Sequence, residues 1–289
     1  MKNWILFVLL PLVAFAVPFH YPPRGSIAPF VSGDTFRAYC DYAFDEITRP
    51  PFHPPFVKRG STVFVSGEML DQFFEKVHPR MMSPYILVVH NTDRAIPGIH
   101  KKFLEDPKII AWFTQNQDET VHPKLHTLPI GLENRQWNPT NVEILQRVRA
   151  KNLPKIHLLY CNFSVTSYFP ERSVVHSLLA NAPFSFVSER KNYESFVEDL
   201  AASKFVLSPR GNGLDTHRLW ETLHAGSFPI VKTSSLDTLY EGLPVVIVQD
   251  WSEVTEEFLH RKYEELINKK FPLDKLYTDY WFRWIDSYK

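Results

Sequence analysis

Between Ile156 and Val248 the chain alternates short, uniformly apolar runs with amphipathic stretches, and this rhythm restricts the fold more than any other property of the sequence. Strands that are apolar along their whole length must be buried on both faces, and parallel sheets covered by helices on each side bury strands in that way. The spacing predicts strands at Ile156–Tyr160, Phe184–Val187, Phe205–Leu207, Phe228–Lys232 and Val245–Val248, with helices at Glu171–Asn181, Tyr193–Ser203, Thr216–Ala225 and Glu253–Ile267. Gly226 stops the third of these helices.

Upstream the same alternation is looser. It predicts strands at Thr62–Ser66, Tyr85–His90, Lys108–Phe113 and Leu125–Ile130, and helices at Glu68–Val77 and Asn141–Lys151. The second helix ends just before Pro154, a residue that disfavours helix in its predecessor and so marks a boundary between halves. Residues 18 to 61 are rich in proline and aromatics without a sustained period, which reads as an irregular lead-in. The last segment, Leu276–Tyr288, carries too many tryptophans and tyrosines for a solvated tail and is expected to pack back across the first domain. The expected fold is therefore α/β, with domains at 18–152 and 153–270, a cleft between them, and a packing segment at 271–289.

Bulk composition narrows the partners. With 32 basic and 32 acidic side chains among 289 residues, the chain lacks the excess charge of a general nucleic-acid binder, so no nucleic-acid partner is expected. Residues 1–17 hold Lys2, an apolar run from Trp4 to Val17 and small residues at Ala14 and Ala16, the pattern of a signal peptide or a short anchor. That places the body of the chain in the secretory lumen or outside the cell, with membrane contact only through this segment. Cys40 and Cys161 are the only cysteines, which excludes a cysteine-rich zinc site and leaves one bridge or two free thiols open. Asn162-Phe163-Ser164 is a glycosylation sequon and marks a candidate glycoprotein.

Chemistry concentrates in Phe205–Gly226, FVLSPRGNGLDTHRLWETLHAG. An apolar strand runs through a turn holding Gly211 and Gly213 into a helix whose N-terminus offers unpaired N–H groups and positive dipole, an arrangement suited to an anion. Arg210 and Arg218 add forked donors for phosphate oxygens. Arg218 and Glu221 stand three apart and share a helical face, so both can address one ligand. The donor-side candidates are thus Arg210, Gly211, Asn212, Gly213, Thr216, His217, Arg218 and Glu221. The same glycines also suit an ordinary tight turn, and the helix pair also suits a surface ion pair.

Ser208–Glu221 (SPRGNGLDTHRLWE), followed by Ala225–Val231 and Leu243–Trp251, resembles the C-terminal domain of the exostosin-like glycosyltransferases. The resemblance extends over residues 156 to 260; Val89–Asp93, Trp112–Asn116 and Lys124–Arg135 resemble, more weakly, the acceptor half of related proteins. It implies two Rossmann-like domains facing a cleft in the GT-B arrangement, with a nucleoside-diphosphate sugar held by the C-terminal one. It implies transfer of the sugar to a glycan or glycoconjugate hydroxyl in the secretory pathway, Arg218 at the donor diphosphate and Glu221 at the ribose.

Sugar transfer loads charge onto a departing diphosphate, which a metal or protein cations can stabilise. No Asp-x-Asp pair occurs in the sequence, so metal-independent transfer without a cofactor is expected, by an inverting route that needs a base. Asp93 is the first candidate for that base and His90 the second, both following the carboxyl end of a predicted strand; Asn116 and Glu133 are acceptor-side candidates. Asp93 capping a turn and His90 satisfying a buried hydrogen bond fit the sequence equally well. Trp112, Trp137 and Trp220 suit either sugar stacking or the core. His122 and His126 are separated by Pro123, which spoils helical metal spacing. A dinucleotide-dependent oxidoreductase is a rival, weakened because Thr216 replaces a third glycine and Lys232 ends the next strand where an acid is needed. A non-catalytic nucleotide- or carbohydrate-binding protein of the same fold is another.

Overall fold

The computed structural model describes residues 25–47 and 52–289; the expected signal or anchor segment at 1–17 lies outside them. The protein is α/β, with two parallel sheets of five strands each.

The described part of the expected lead-in holds regular structure. Helix α1 (Gly33–Tyr39) starts at Ser32, whose side chain accepts from the Thr35 N–H. Strand β1 (Tyr42–Phe44) then pairs in parallel with β2 (Thr62–Ser66) as the edge of the first sheet. After β2 the chain coils through a 3-10 turn, the short α2 (Leu70–Gln72) and a wide π-type turn at Phe73–Val77, in place of one regular helix. Strands β3 (Tyr85–His90), β4 (Ile109–Thr114) and β5 (Leu125–Thr127) complete the sheet in chain order. Its crossover from β3 to β4 is a 3-10 helix at Gly98–Glu105, which has no 3.6-residue pattern for sequence to reveal.

Helix α3 (Asn141–Ala150) precedes β6 (His157–Cys161), α4 (Phe169–Leu179), β7 (Ser185–Val187), α5 (Tyr193–Ala201) and β8 (Ser203–Leu207). Helix α6 (His217–Ala225), β9 (Phe228–Lys232), β10 (Val246–Val248), α7 (Glu256–Ile267) and α8 (Thr278–Asp286) follow. The second sheet is ordered β10-β9-β8-β6-β7, so the direction of winding reverses between β6 and β8. Although α3 falls before the expected boundary, it packs on α5 and α6 of the second half.

Period-two burial explains the layers. In β6 and β8, Leu159, Cys161, Phe205 and Leu207 face a core with Val175 and Leu179 of α4 and Leu259 of α7, whereas Tyr160 and Val206 face α3, α5 and α6. In the first sheet, Val63, Val65, Leu87 and Val89 meet Phe73 and Phe74, while Phe64, Ile86, Val88 and Phe113 face a core shared with the second half. Helix α8 closes that shared core. Phe282 stacks on Tyr39 with centroids 3.9 Å apart, and Trp284 and Tyr288 meet Phe113 edge-on. Cys40 and Cys161 are both free thiols.

Candidate functional site

Where winding reverses, the connections from two neighbouring strands leave in opposite directions and open a crevice outside their carboxyl ends. Here a cavity of about 740 Å3 is lined by Cys161, Asn162 and Phe163 after β6, by Ser188 and Lys191 after β7, and by Tyr193, Phe196 and Arg218 from α5 and α6. Arg218 is half-buried, with its guanidinium 5.7 Å from the Phe196 ring centroid. Its Nε is buried without a hydrogen-bond partner, and among the described residues no carboxylate lies within ion-pairing distance of it. Burial pulls its pKa down, and the Glu221 charge pulls it back up. A cation held this way, with Glu221 acting on it only at a distance and no carboxylate bonded to it, is costly unless an anion arrives.

Glu221 stands one layer behind. It is 6% exposed, lines neither this cavity nor the one between the halves, and its Oε1 accepts from the Tyr193 hydroxyl at 2.9 Å. Burial raises its pKa, as it does that of Tyr193. Tyr193 is therefore the group of this pair that reaches the cavity, and the expected direct approach of Glu221 to a ligand is replaced by an approach through Tyr193.

A residue not singled out from sequence shapes the crevice. Arg172 of α4 is buried and donates from Nη1 to Ser164 O at 2.8 Å, from Nε to Arg210 O at 2.7 Å and from Nη2 to Pro209 O at 3.2 Å. One guanidinium so ties the loop after β6 to the loop after β8. Burial, with Arg218 nearby, pulls its pKa down to about 10.

The glycine loop itself serves a purpose different from the one read in sequence. A Cβ on Gly213 would lie 2.6 Å from Asn116 Nδ2, and one on Gly211 would lie 3.4 Å from Arg172 Nη2. The one close approach here that requires glycine, at Gly213, is thus to a protein group, and Gly211, Asn212, Gly213 and Thr216 line neither cavity. Asp215 fills the loop's end. Its carboxylate accepts from Thr216 N–H at 2.9 Å, from Ile130 N–H at 2.8 Å and from the Trp220 indole at 2.9 Å, so the chain's own anion already sits beside the α6 N-terminus. Burial raises the Asp215 pKa to about 6 against the pull of those donors. Arg210 points elsewhere: it lies over the Tyr168 ring at 4.1 Å and lines a separate cavity with Lys232 and Tyr240. The two arginines expected at one phosphate site do not converge.

A second cavity, of about 500 Å3, lies between the halves, at the carboxyl ends of β2, β3 and β4. Glu68, His90, Asp93 and Trp137 line it from the first half, and His217 of α6 enters it from the second. Asp93 is exposed. His90 is 1% exposed, with Nε2 bonded to Pro129 O at 3.0 Å and Nδ1 accepting from Asn91 N–H at 2.8 Å. Burial holds its pKa down at about 4, so a fully engaged, neutral ring is unsuited to base catalysis. Asn116 is fully buried, donating to Thr92 O at 2.8 Å and accepting from Asp215 N–H at 2.9 Å; it joins the halves and does not line the cavity. Both Asn116 and Asn91 adopt positive φ, 51° and 56°, a conformation side chains seldom take outside constrained sites. Glu133 lines neither cavity but lies close enough to raise the pKa of Tyr193 and Glu221.

Among the tryptophans, Trp112 and Trp220 are core, 0% and 1% exposed, whereas Trp137 is 73% exposed at the cavity between the halves. His122 and His126 form no metal group; His126 sits among Phe113, Trp284 and Tyr288. The sequon asparagine, Asn162, spends its amide nitrogen on Ser188 Oγ at 2.9 Å and Ser188 O at 3.2 Å while lining the crevice. No protein-family model matches the chain, and no curated protein matches it.

Proposed function

We propose that this protein is a glycosyltransferase of the GT-B arrangement, holding a nucleoside-diphosphate sugar in the β6/β8 crevice and a glycan or glycoconjugate hydroxyl in the cavity between its halves. The observation that carries this reading is Arg218, a cation with no ion-pair partner among the described residues, in an aromatic-walled cavity at the point where the second sheet reverses. An arginine of this kind meets the charge that accumulates on a departing diphosphate, and it acts more strongly in a partly dry crevice than in water. Arg190 lines the same cavity and adds positive charge, Lys191 beside it is paired with Asp199 at 2.6 Å, and Phe163, Tyr193 and Phe196 offer rings for a base. A pyrophosphate of a dinucleotide cofactor would instead need the glycine loop, where Asn116 already crowds Gly213. The reaction we propose is inverting, independent of metal, and located in the secretory pathway by the apolar segment that opens the sequence.

Thermal denaturation with UDP, GDP and NAD tests the reading. One nucleoside diphosphate should raise apparent stability, by about 2.7 kcal/mol at a hundredfold excess over its Kd. Stabilisation by NAD alone would refute a transferase. Release of nucleoside diphosphate from the matching sugar donor should persist in EDTA; complete loss that manganese restores would replace the arginine-only reading with a metal-dependent one.

A further inference from the structure

Successive residues in the first turn of α6 serve different cavities. Arg218 lines the crevice at the reversal, and His217, its predecessor, lines the cavity between the halves. The His217 ring is fixed by one bond, Nδ1 to Gly131 O at 2.8 Å. A carbonyl oxygen can only accept, so in the neutral ring Nδ1 carries the proton and Nε2 keeps the lone pair. Nε2 is bonded to no described residue, and the ring lines the cavity. His90, on the same cavity, uses both nitrogens and is buried. Asp93 is exposed and has no bond fixing its carboxylate among the described residues.

From this geometry we infer that His217 is the general base that takes the proton of the acceptor hydroxyl; the inference rests on the transferase reading above. The acceptor oxygen forms the bond to the anomeric carbon as its proton passes to His217 Nε2. The bond from that carbon to the diphosphate oxygen breaks with its electron pair remaining on the phosphate, where Arg218 meets the charge. The imidazolium then returns its proton to solvent. Bond-making and bond-breaking are thereby assigned to successive residues of α6, His217 on the cavity between the halves and Arg218 on the crevice at the reversal. The titratable groups that face the ring are His90 of β3, Asp215 of the preceding loop and Glu221 of α6, with Glu46, Glu68 and Asp93 sharing the cavity.

The test compares wild type with His217→Asn and His217→Ala, using release of nucleoside diphosphate from UDP- and GDP-sugar donors. Asparagine keeps a donor for Gly131 O but has no base. His217→Asn should lose roughly 100-fold or more in kcat, as removal of a general base does. Its thermal shift with the nucleoside diphosphate should equal that of wild type. His217→Ala should regain activity with added imidazole. Should His217→Asn turn over within about threefold of wild type, or Asp93→Asn alone abolish turnover, the assignment to His217 is overturned while nucleotide binding still stands. A wild type that neither binds a nucleoside diphosphate nor releases one from any donor overturns the transferase reading itself.

Discussion

The two sheets have the same size and strand direction, yet only one of them makes a crevice by itself. The first runs β1 to β5 in chain order, so all its connections wind the same way; the second reverses between β6 and β8 and opens at that seam. The cavity at the carboxyl ends of the first sheet is completed only when His217 arrives from the other half. The difference shows that strand order, more than strand composition, decides where a parallel sheet can hold a ligand, and that a sheet without a reversal depends on its neighbour.

The comparison fails first if the halves stand independently. Asp215 is the carboxylate through which α6 is tied to the first half, and replacing it with alanine strands the Ile130 N–H and the buried Trp220 indole. At about 1–3 kcal/mol for each unsatisfied buried donor, Asp215→Ala should cost roughly 2–6 kcal/mol in denaturant unfolding. A loss below about 1 kcal/mol would mean that the shared apolar core and the remaining bonds, such as His217 Nδ1 to Gly131 O, join the halves without this carboxylate.

Acid separates the two sheets more gently. His90 and His126 belong to the first sheet and burial lowers both to about 4, as it does His224 of α6. A folded pKa depressed below the ordinary 6.5 makes unfolding take up protons, so the stability from each neutral ring is complete above pH 6.5 and lost as pH falls toward 4. For the fully buried His90 the loss is on the order of 3 kcal/mol. Asp215 has the opposite sign: its raised pKa of about 6 contributes stability that is full below 3.8 and lost as pH rises through 6. Hydrogen exchange between pH 7 and 4.5 should therefore lose protection in β3–β5 before β6–β9. Equal loss in both sheets would erase this distinction.

The smallest effect concerns the crevice alone. Arg218→Met should weaken nucleoside-diphosphate binding by roughly 100-fold, about 2.7 kcal/mol, while leaving the apo protein as stable as wild type or more so, because a buried charge without a partner is removed. Calorimetric titration with UDP and GDP, beside an apo melt, checks both halves of that expectation. A destabilised apo protein that binds normally would make Arg218 structural.

How legible this molecule is from sequence also differs between the halves. Phe228–Lys232 appears at its expected bounds, and Phe205 and Tyr193 fall in the elements assigned to them, because buried parallel strands and 3.6-residue helices write their period into the chain. The first half uses a 3-10 crossover, a π-type turn and a three-residue edge strand between prolines, none of which leaves such a period. The place of Arg218 in a helix after a strand and a glycine turn was legible. The meaning of Gly213 was not, since its tight neighbour, Asn116, belongs to the other half. Nor was Arg172, whose three acceptors are backbone carbonyls and leave no sequence signature.

Helix α8 is made after every strand of both sheets, but its Trp281 and Ile285 belong to the core that contains Phe36 of α1 and Phe64 and Phe113 of the first sheet. While the second half is being synthesised, that apolar face has no permanent cover. A chain halted after α7 should accordingly bind a hydrophobic dye that the full chain excludes. The half that is made first stays uncovered until the second half has been made, and during synthesis it depends on whatever shields it in the meantime.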